Sequence, residues 1–539
     1  MKFTTGNNPV TVVQLGRWIA EGNKFPHTIK LVHAATGEDV EGASVVVNPL
    51  DARPGNFRYV NLSAPVVLPA KTSFYLVSSE TNGEDSWHTV GTILEAEAIA
   101  LYDAPVCLEN NSPATLIPAE NTWGSVNFIG YCKTETLANG KVYQTFVQNK
   151  GYSFDHALYG VFIPDGITEI RGILIHQHGC TMEGRGVASA YDIQYQSLAK
   201  KWGLAIVGPD LYPGPYAGCA KWRNPEEGSG PALLEALEYT ARLSGHTELA
   251  IAPWLLWGHS GGGYWVLAMM KYYPERILGV VAYSPAFDPQ WGYPEAALKI
   301  PLLIRHAGSA DLNGPGVSCW DTAIHTFDKL RRQDAPVAIA YTPDETHNLS
   351  YLRYMAIPFF EAVLKQRLPE KTGNSLKDTD KAIRWVGDTL TCQVYKASGY
   401  SRNKQNMAIL PDSVSALVWK EYVTNSTVED KTPPPSPYAP EWVHTDSLIE
   451  LRWRADADIE SGIHHFNIYK NNRLIGQFPD HEEGYQTFDT NGDDPVPVHL
   501  PDMQYNFNKN EMKHGDIYAV STVNYFNLES RKTEIHYNL

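Results

Sequence analysis

The segment Gly258-His259-Ser260-Gly261-Gly262 has the pattern G-x-S-x-G. A serine hydroxyl becomes a strong nucleophile when a neighbouring base takes its proton, and it can then attack a carbonyl carbon. Glycines two residues to either side let the chain turn sharply at the serine and let the flanking elements approach closely. The spacing therefore predicts acyl-transfer chemistry with Ser260 as the nucleophile.

The sequence around Ser260 strengthens this prediction. An apolar run at 253–257 precedes the motif, and a helical pattern at 263–273 follows it and stops at Pro274. Strand, sharp turn and helix form the nucleophile elbow, which projects the hydroxyl above the edge of a sheet. The helix N-terminus adds positive potential where negative charge develops. The structural alternative is a glycine-rich turn with an idle serine.

The base for Ser260 is predicted at His347. In chains with a nucleophile elbow the acid and then the histidine follow the serine, and the histidine comes after the last strand of the sheet. The apolar run 337–341 is a good last strand, and His347 follows it shortly before a predicted helix. Three other histidines are weaker candidates, because they lie at a strand end, inside a helix or beside the serine: His306, His325 and His259.

The acid is predicted at Asp311, which follows the strand 300–306. A carboxylate there would accept the Nδ1–H of His347, fix its tautomer and stabilise the imidazolium. The alternative is a loop or helix-capping aspartate. Asp321 and Glu345 are the other acids considered, and Asp210 is a poor candidate because it ends an earlier strand.

Two backbone amides are predicted to form an oxyanion hole. Donors of this kind stabilise the tetrahedral intermediate and are often the largest single contribution to catalysis. One is the N–H of Gly261, directly after the nucleophile. The other is assigned to Cys180, because the early strand 173–177 leads into His178-Gly179-Cys180-Thr181, where Gly179 frees the backbone to turn.

These motifs, together with Cys219-Ala220-Lys221-Trp222, resemble the polyhydroxybutyrate depolymerase and feruloyl esterase branch of the α/β-hydrolase superfamily. The resemblance implies a serine esterase that needs no cofactor and no metal. In that branch the cysteine of the oxyanion loop can be disulfide-bonded. By analogy, a disulfide is expected between Cys180 and Cys219.

The elements that position these residues form the central part of a multidomain chain. Strands alternate with helices between about 130 and 370, as in a mostly parallel sheet flanked by helices. We predict an α/β-hydrolase domain at 129–429 between two β-sandwiches, an accessory domain at 1–128 and a fibronectin type III-like domain at 430–539. The proline-rich run 431–437 is the linker to the last of these.

Composition narrows the range of partners. The 539 residues include 44 Lys and Arg against 60 Asp and Glu, a net charge of −16, which argues against nucleic acid and anionic membranes. No apolar run is long enough for a transmembrane helix, and no signal peptide is evident. We expect a secreted or periplasmic protein whose signal has been removed. The six cysteines form no C-x-x-C pair: Cys107, Cys132, Cys180, Cys219, Cys319 and Cys392.

Together these features predict a secreted serine esterase that acts through an acyl-enzyme. The flanking β-domains and the abundance of Trp and Tyr suggest a polymeric substrate, which those domains would bind. Acetyl or feruloyl esters of plant polysaccharides are the first choice, and a polyester is the second. The alternatives are a serine peptidase of the same fold and a non-catalytic binding protein.

Overall fold

The computed structural model describes residues 1–80, 85, 100–104, 106–109, 112–116, 126–180, 186–214, 218–348, 351–444, 448–479 and 503–538. The chain forms two compact units. The first comprises Met1–Glu135, Tyr143–Phe146 and Pro213–Gly218, and the second comprises Thr136–Val142, Val147–Tyr212 and Cys219–Leu539. The second unit is not divided further, so the predicted boundary between residues 429 and 430 stays a prediction.

The first unit is built from antiparallel strands, as its short apolar runs and turn signals predict. A five-stranded and a three-stranded sheet share one hydrophobic core that includes Phe3, Leu15 and Phe74. The alternation of buried and exposed residues on several strands is typical of sheets with one face on the core. The strands are Lys2–Thr5, Val10–Ile19, His27–His33, Asp39–Val47, Asn56–Leu68, Ser73–Ser78, Ala100–Ala104, Val106–Glu109, Ser112–Leu116 and Val126–Tyr131.

A nine-stranded sheet carries the predicted site residues. Its six strands from Leu204–Tyr212 to Val337–Tyr341 pair in parallel, and the predicted mostly parallel sheet is thereby confirmed. The strands of this part are buried almost throughout, as expected where helices cover both faces. In spatial order the sheet contains Thr134–Thr136, Gly140–Gln148, His156–Pro164, Leu204–Tyr212, Gly172–Gln177, Trp254–His259, Ile277–Tyr283, Leu302–His306 and Val337–Tyr341.

Six α-helices accompany this sheet, and local signals mark their ends. The side chain of Asp192 accepts the first free N–H groups of α1, which ends at Gly203 in the left-handed conformation. Pro231 lies in the first turn of α2, where its missing N–H would have no partner in the helix. The helices are α1 Ile193–Trp202, α2 Ser229–Ser244, α3 Gly261–Tyr272, α4 Cys319–Arg331, α5 Arg353–Arg367 and α6 Ser413–Asn425.

A small antiparallel sheet beyond α5 was not predicted. Its strands, Trp385–Asp388, Val394–Lys396 and Met407–Leu410, are too short to show a clear periodicity. The ring of Trp419 on α6 packs where a Cβ on Gly387 would lie, and its Nε1–H donates to the carbonyl of Ile339 at 2.8 Å. This contact ties the added layer to the last strand of the large sheet.

The last part of the second unit contains two antiparallel sheets of three and four strands. Ile449, Leu451 and Trp453 are all buried on one face, as their spacing predicts, and Trp453 packs edge-on against Phe466. The fibronectin type III assignment itself stays a prediction. The strands are Tyr438–His444, Leu448–Arg454, Gln504–Asn508, His465–Lys470, Arg473–Phe478, Ile517–Val523 and Thr533–His536.

Among the described residues, no helix has both the length and the apolar character required to span a bilayer.

Candidate active site

Ser260 stands at a strained turn between the strand Trp254–His259 and α3. Its φ is 54° and its ψ is −114°, a backbone conformation that costs a non-glycine residue about 1–3 kcal/mol. The surroundings enforce it, because Ser260 N–H donates to the Tyr283 carbonyl at 2.9 Å and its own carbonyl accepts from Tyr264 and Ala286 at 3.1 Å each. The predicted elbow is thus present as a strand, a strained turn and a helix.

The glycines of the motif are required for close packing. A Cβ on Gly258 would lie 2.1 Å from the carbonyl oxygen of Gly262. A Cβ on Gly262 would lie 2.4 Å from the carbonyl oxygens of Gln177 and His178. The absence of side chains at these positions is therefore what lets α3 begin directly above the neighbouring strands.

Asp311 and His347 lie together, as the chain order predicts. The Nδ1–H of His347 donates to Asp311 Oδ1 at 2.6 Å, and Asp311 Oδ2 accepts from the Ser284 hydroxyl at 2.8 Å and the Ala307 N–H at 2.9 Å. Burial alone would raise the pKa of Asp311, but the hydrogen bonds from His347 and Ala307 outweigh it and hold this pKa well below the usual range. Asp311 therefore remains ionised and accepts a hydrogen bond from the Nδ1–H of His347.

His259 and Tyr283 hold the His347 loop against the elbow. Both donate to the backbone carbonyl of His347, Tyr283 through its hydroxyl at 2.7 Å and His259 through Nε2 at 2.9 Å. The rings of His259 and His347 lie 4.7 Å apart, and His259 directly precedes Ser260. Burial and the neighbouring imidazole lower the pKa of His259, so this residue is a neutral donor and not a base.

The structure shows no completed hydrogen bond between the predicted nucleophile and the predicted base. Within the described part of the chain, no hydrogen bond of 3.5 Å or less joins the Ser260 hydroxyl to the His347 ring. In enzymes without substrate such bonds are commonly long and tighten when the substrate binds. The roles of Ser260, His347 and Asp311 stay predictions, and the geometry is compatible with them.

The other acids considered for the triad have partners elsewhere. Ser318 caps α4, and its hydroxyl donates to the carboxylate of Asp321 at 2.9 Å. Asp210 lies 3.6 Å from the ring of His178. Among the described carboxylates, Asp311 is the one hydrogen-bonded to the His347 ring.

The other histidines considered as the base also lie elsewhere. His306 is buried between the stacked rings of Trp320 and Tyr341, at 6.4 Å and 5.2 Å between centroids. His325 is on the exposed face of α4, where it contacts Asp288 at 3.2 Å. His306 therefore packs in the interior and His325 lies on the surface, whereas the hydrogen bond to Asp311 is made by His347.

A buried ion pair near Asp311 and His347 was not anticipated. Arg305 Nη2 lies 2.6 Å from Glu345 Oε2, and both side chains are fully enclosed. Arg305 Nη1 donates to the Ser284 hydroxyl at 3.0 Å and to the carbonyl of Thr346 at 2.9 Å. Arg305 thus connects Ser284, which donates to Asp311, with Thr346, the residue before His347. Glu345 was an alternative to Asp311 as the acid that orients His347. In the structure it instead supports the loop that carries His347.

The predicted Cys180–Cys219 disulfide is confirmed by the structure. A Cβ on Gly261 would lie 2.3 Å from Cys180 Sγ and 3.5 Å from Cys180 N. The two predicted oxyanion donors, the amides of Cys180 and Gly261, therefore lie side by side, and the disulfide fills the space that a side chain at 261 would need.

His178 holds the loop that carries Cys180 through two hydrogen bonds of its ring. Its Nδ1–H donates to the carbonyl of Gly179 at 2.6 Å, and its Nε2 accepts the N–H of Leu211 at 3.1 Å. Burial lowers the pKa of His178 to about 4, so the ring stays neutral at physiological pH. A neutral ring is required for Nε2 to act as an acceptor.

Two clusters in the described residues have side chains of metal-binding type. In the first, ligand atoms of Asp311, Cys319 and His347 lie within 4.8 Å of one another, but the first and last are joined by the short hydrogen bond. Burial raises the pKa of the Cys319 thiol far above its usual range, which keeps it protonated. The second cluster is Asp430, Asp458 and Glu460.

No family model and no curated protein matches the sequence. Solved structures that resemble part of the chain include poly(aspartic acid) hydrolase-1 from Sphingomonas sp. KT-1, with 19% identity over 39% of this chain and 94% of that one and a TM-score of 0.28. An S-formylglutathione hydrolase from Agrobacterium tumefaciens has 16% identity over 40% and 91%, with a TM-score of 0.29. A ferulic acid esterase has 15% identity over 39% and 91%, with a TM-score of 0.29.

The solved structures named above are hydrolases and an esterase. Their TM-scores are too low to bear on the function of this chain, which we infer from the site itself.

Proposed function

We propose that the chain is a serine hydrolase of carboxylic esters with an α/β-hydrolase catalytic domain. The observation that carries the proposal is the strained Ser260 at a strand–helix turn, beside a loop in which Asp311 holds His347 at 2.6 Å. A non-glycine residue is kept at positive φ and a buried carboxylate is kept ionised only where the surrounding structure enforces both. Nucleophilic catalysis accounts for both features together.

In the proposed reaction, His347 takes the proton of the Ser260 hydroxyl as its oxygen attacks the ester carbonyl. The amides of Gly261 and Cys180 donate to the oxyanion, and Asp311 stabilises the imidazolium. His347 then protonates the leaving alcohol, which departs and leaves an acyl-enzyme. Water, deprotonated by His347, attacks this ester and regenerates the free serine.

For the substrate we propose acetyl or feruloyl esters of plant polysaccharides, hydrolysed by a secreted enzyme. We assign binding of the polymer to the antiparallel sheets that precede and follow the large sheet in the chain. The disulfide supports secretion, because such bonds persist in oxidising compartments. A polyester depolymerase and a serine peptidase would use the same residues. A non-catalytic binding protein would not need the strained serine.

The reaction class is tested by turnover of p-nitrophenyl acetate. We expect turnover by the wild-type chain and its loss in Ser260→Ala, with the matched variant Ser401→Ala, an exposed serine, behaving as wild type. Equal activity in the wild type and in folded Ser260→Ala would refute the proposal.

A panel of substrates then separates the alternatives. We expect release of acetate from acetylated xylan, or of ferulate from feruloylated xylan, at a higher kcat/KM than release of monomer from polyhydroxybutyrate. Preferential cleavage of aminoacyl nitroanilides over esters would identify a peptidase instead.

A further inference from the structure

The guanidinium of Arg223 is stacked on two aromatic rings. Its central carbon lies 3.7 Å from the centroid of the Phe287 ring and 4.9 Å from that of Tyr264. Its Nε is enclosed and has no hydrogen-bond partner. Among the described residues, no carboxylate lies within 4.0 Å of it. Stacking of this kind stabilises the cation, but it leaves the enclosed Nε–H without an acceptor.

Arg223 is positioned next to the predicted oxyanion hole. Its backbone N–H donates to the carbonyl of Cys219 at 3.0 Å. Cys219 is disulfide-bonded to Cys180, and its Sγ lies 3.3 Å from where a Cβ on Gly261 would be. The loop that carries Arg223 is therefore fixed against the residue that follows the nucleophile.

The two rings that stack on the guanidinium belong to segments that are hydrogen-bonded to the backbone of Ser260. Tyr264 is one helical turn beyond Ser260, and its N–H donates to the Ser260 carbonyl at 3.1 Å. Phe287 directly follows Ala286, whose N–H donates to the same carbonyl at 3.1 Å. The guanidinium of Arg223 is thus packed on two rings whose backbone segments are both anchored at the Ser260 turn.

Arg223 keeps its positive charge in these surroundings. Burial lowers the pKa of Arg223, but the group remains a cation in any accessible pH range. Glu227 acts on it only through its charge at longer range. With a net charge of −16, the chain as a whole repels anions, so an acidic substrate would need a local cation to be held.

We infer that Arg223 binds a carboxylate of the substrate, and that the preferred esters carry such a group close to the scissile bond. A guanidinium presents two parallel N–H groups that match the two oxygens of a carboxylate. The inference rests on the proposed function and narrows its substrate class to acidic esters. The carboxylate can belong to the acyl group or, as in an acetylated uronate polymer, to the alcohol.

Paired substrates with and without the charge test this inference. On the acyl side, p-nitrophenyl hemisuccinate is compared with the neutral p-nitrophenyl valerate. On the alcohol side, acetylated galacturonate oligomers are compared with acetylated xylo-oligosaccharides. Each pair is measured with the wild type, Arg223→Gln, Arg223→Lys and the control Arg242→Gln, an exposed arginine of α2.

In one of the two pairs we expect the ratio of kcat/KM for the acidic over the neutral substrate to fall about 10- to 100-fold in Arg223→Gln, mainly through KM. Arg223→Lys should recover part of the loss, and Arg242→Gln should keep the wild-type ratio. In the wild type, KM for the acidic substrate should rise with ionic strength while KM for the neutral one does not.

A ratio that stays within twofold of wild type in Arg223→Gln for both pairs would overturn the inference. If Arg223→Gln does not fold, a KM for the acidic substrates that is independent of salt overturns it instead. Turnover of p-nitrophenyl acetate that depends on Ser260 would still support the proposed function in that case, so the two failures are distinguishable.

Discussion

The guanidinium of Arg305 and the carboxylate of Glu345 form an ion pair of 2.6 Å that is closed to solvent. Glu345 also accepts from the hydroxyl of Thr342 at 2.8 Å and from that of Tyr422 at 2.8 Å. Since Glu345 is two residues before His347, this network fixes the start of the loop that carries the predicted base. The pair thus connects the stability of the fold with the geometry of the site.

Replacement of Glu345 by glutamine is expected to destabilise the chain and to lower activity. The change leaves Arg305 buried without its counter-charge, which typically costs about 3–5 kcal/mol. Chemical denaturation and kcat/KM for p-nitrophenyl acetate measure the two effects. The exposed pair of Lys150 and Glu235 provides the control, since Glu235→Gln should cost less than about 1 kcal/mol. Equal effects of the two variants would contradict a special role for the buried pair.

A methyl group at residue 261 is expected to disrupt the oxyanion hole. In Gly261→Ala the new Cβ would lie 2.3 Å from Cys180 Sγ, so the disulfide and its amide must move. Loss of one oxyanion donor lowers kcat by about 10²–10³-fold. Gly314→Ala is the matched control, because no atom lies within 4 Å of a Cβ there. An unchanged kcat in Gly261→Ala would exclude these two amides as the donors.

The Cys180–Cys219 disulfide is expected to contribute to stability as well as to the shape of the hole. Peptide mapping without reduction should recover the two cysteines in one linked peptide pair. Cys219→Ser should lower the free energy of unfolding by about 2–4 kcal/mol, whereas Cys392→Ser, which removes a free thiol, should have little effect. Alkylation of both Cys180 and Cys219 in the unreduced protein would contradict the pairing.

The carboxyl of Asp458 is expected to make stability depend on pH. Burial and the nearby Asp430 raise the pKa of Asp458 to about 7. Because the folded state binds this proton more tightly than the unfolded chain, its contribution is complete below the ordinary aspartate pKa of about 3.9. The contribution is lost as pH rises from there through about 7.

Asp458→Asn removes this titration while keeping the size of the side chain. The variant should therefore have a higher Tm than the wild type, and the difference should be larger at pH 9 than at pH 5. Thermal unfolding at the two pH values measures the difference, with Asp344→Asn, an exposed aspartate, as the control. A Tm difference between wild type and Asp458→Asn that is the same at both pH values would contradict the assignment.

Much of the predicted site follows from local sequence. Ser260 is marked by the glycines around it, and Asp311 and His347 are marked by the strands that precede them. Each of these signals spans only a few residues, and the parallel sheet brings the strand ends together. The Cys180–Cys219 pair was expected from a family resemblance, since spacing alone does not determine which cysteines meet.

The supporting contacts could not be predicted in the same way. Arg305 and Glu345 are 40 residues apart, and nothing near either one indicates its partner. In the sequence, His259 was a weaker candidate for the base. In the structure its ring donates a hydrogen bond to the backbone carbonyl of His347. No local motif marks Arg223, because its role is inferred from two stacked rings and from the lack of a close carboxylate in the part of the chain that the structure describes. Such contacts are decided by tertiary packing.

The most direct test of the central claim is covalent labelling with a fluorophosphonate, which reacts with serines activated by a neighbouring base. We predict one label per chain, located at Ser260 by peptide mapping, and no label in folded Ser260→Ala or in His347→Ala. A folded wild-type chain that takes up no label, or one that is labelled at another residue, would contradict the account.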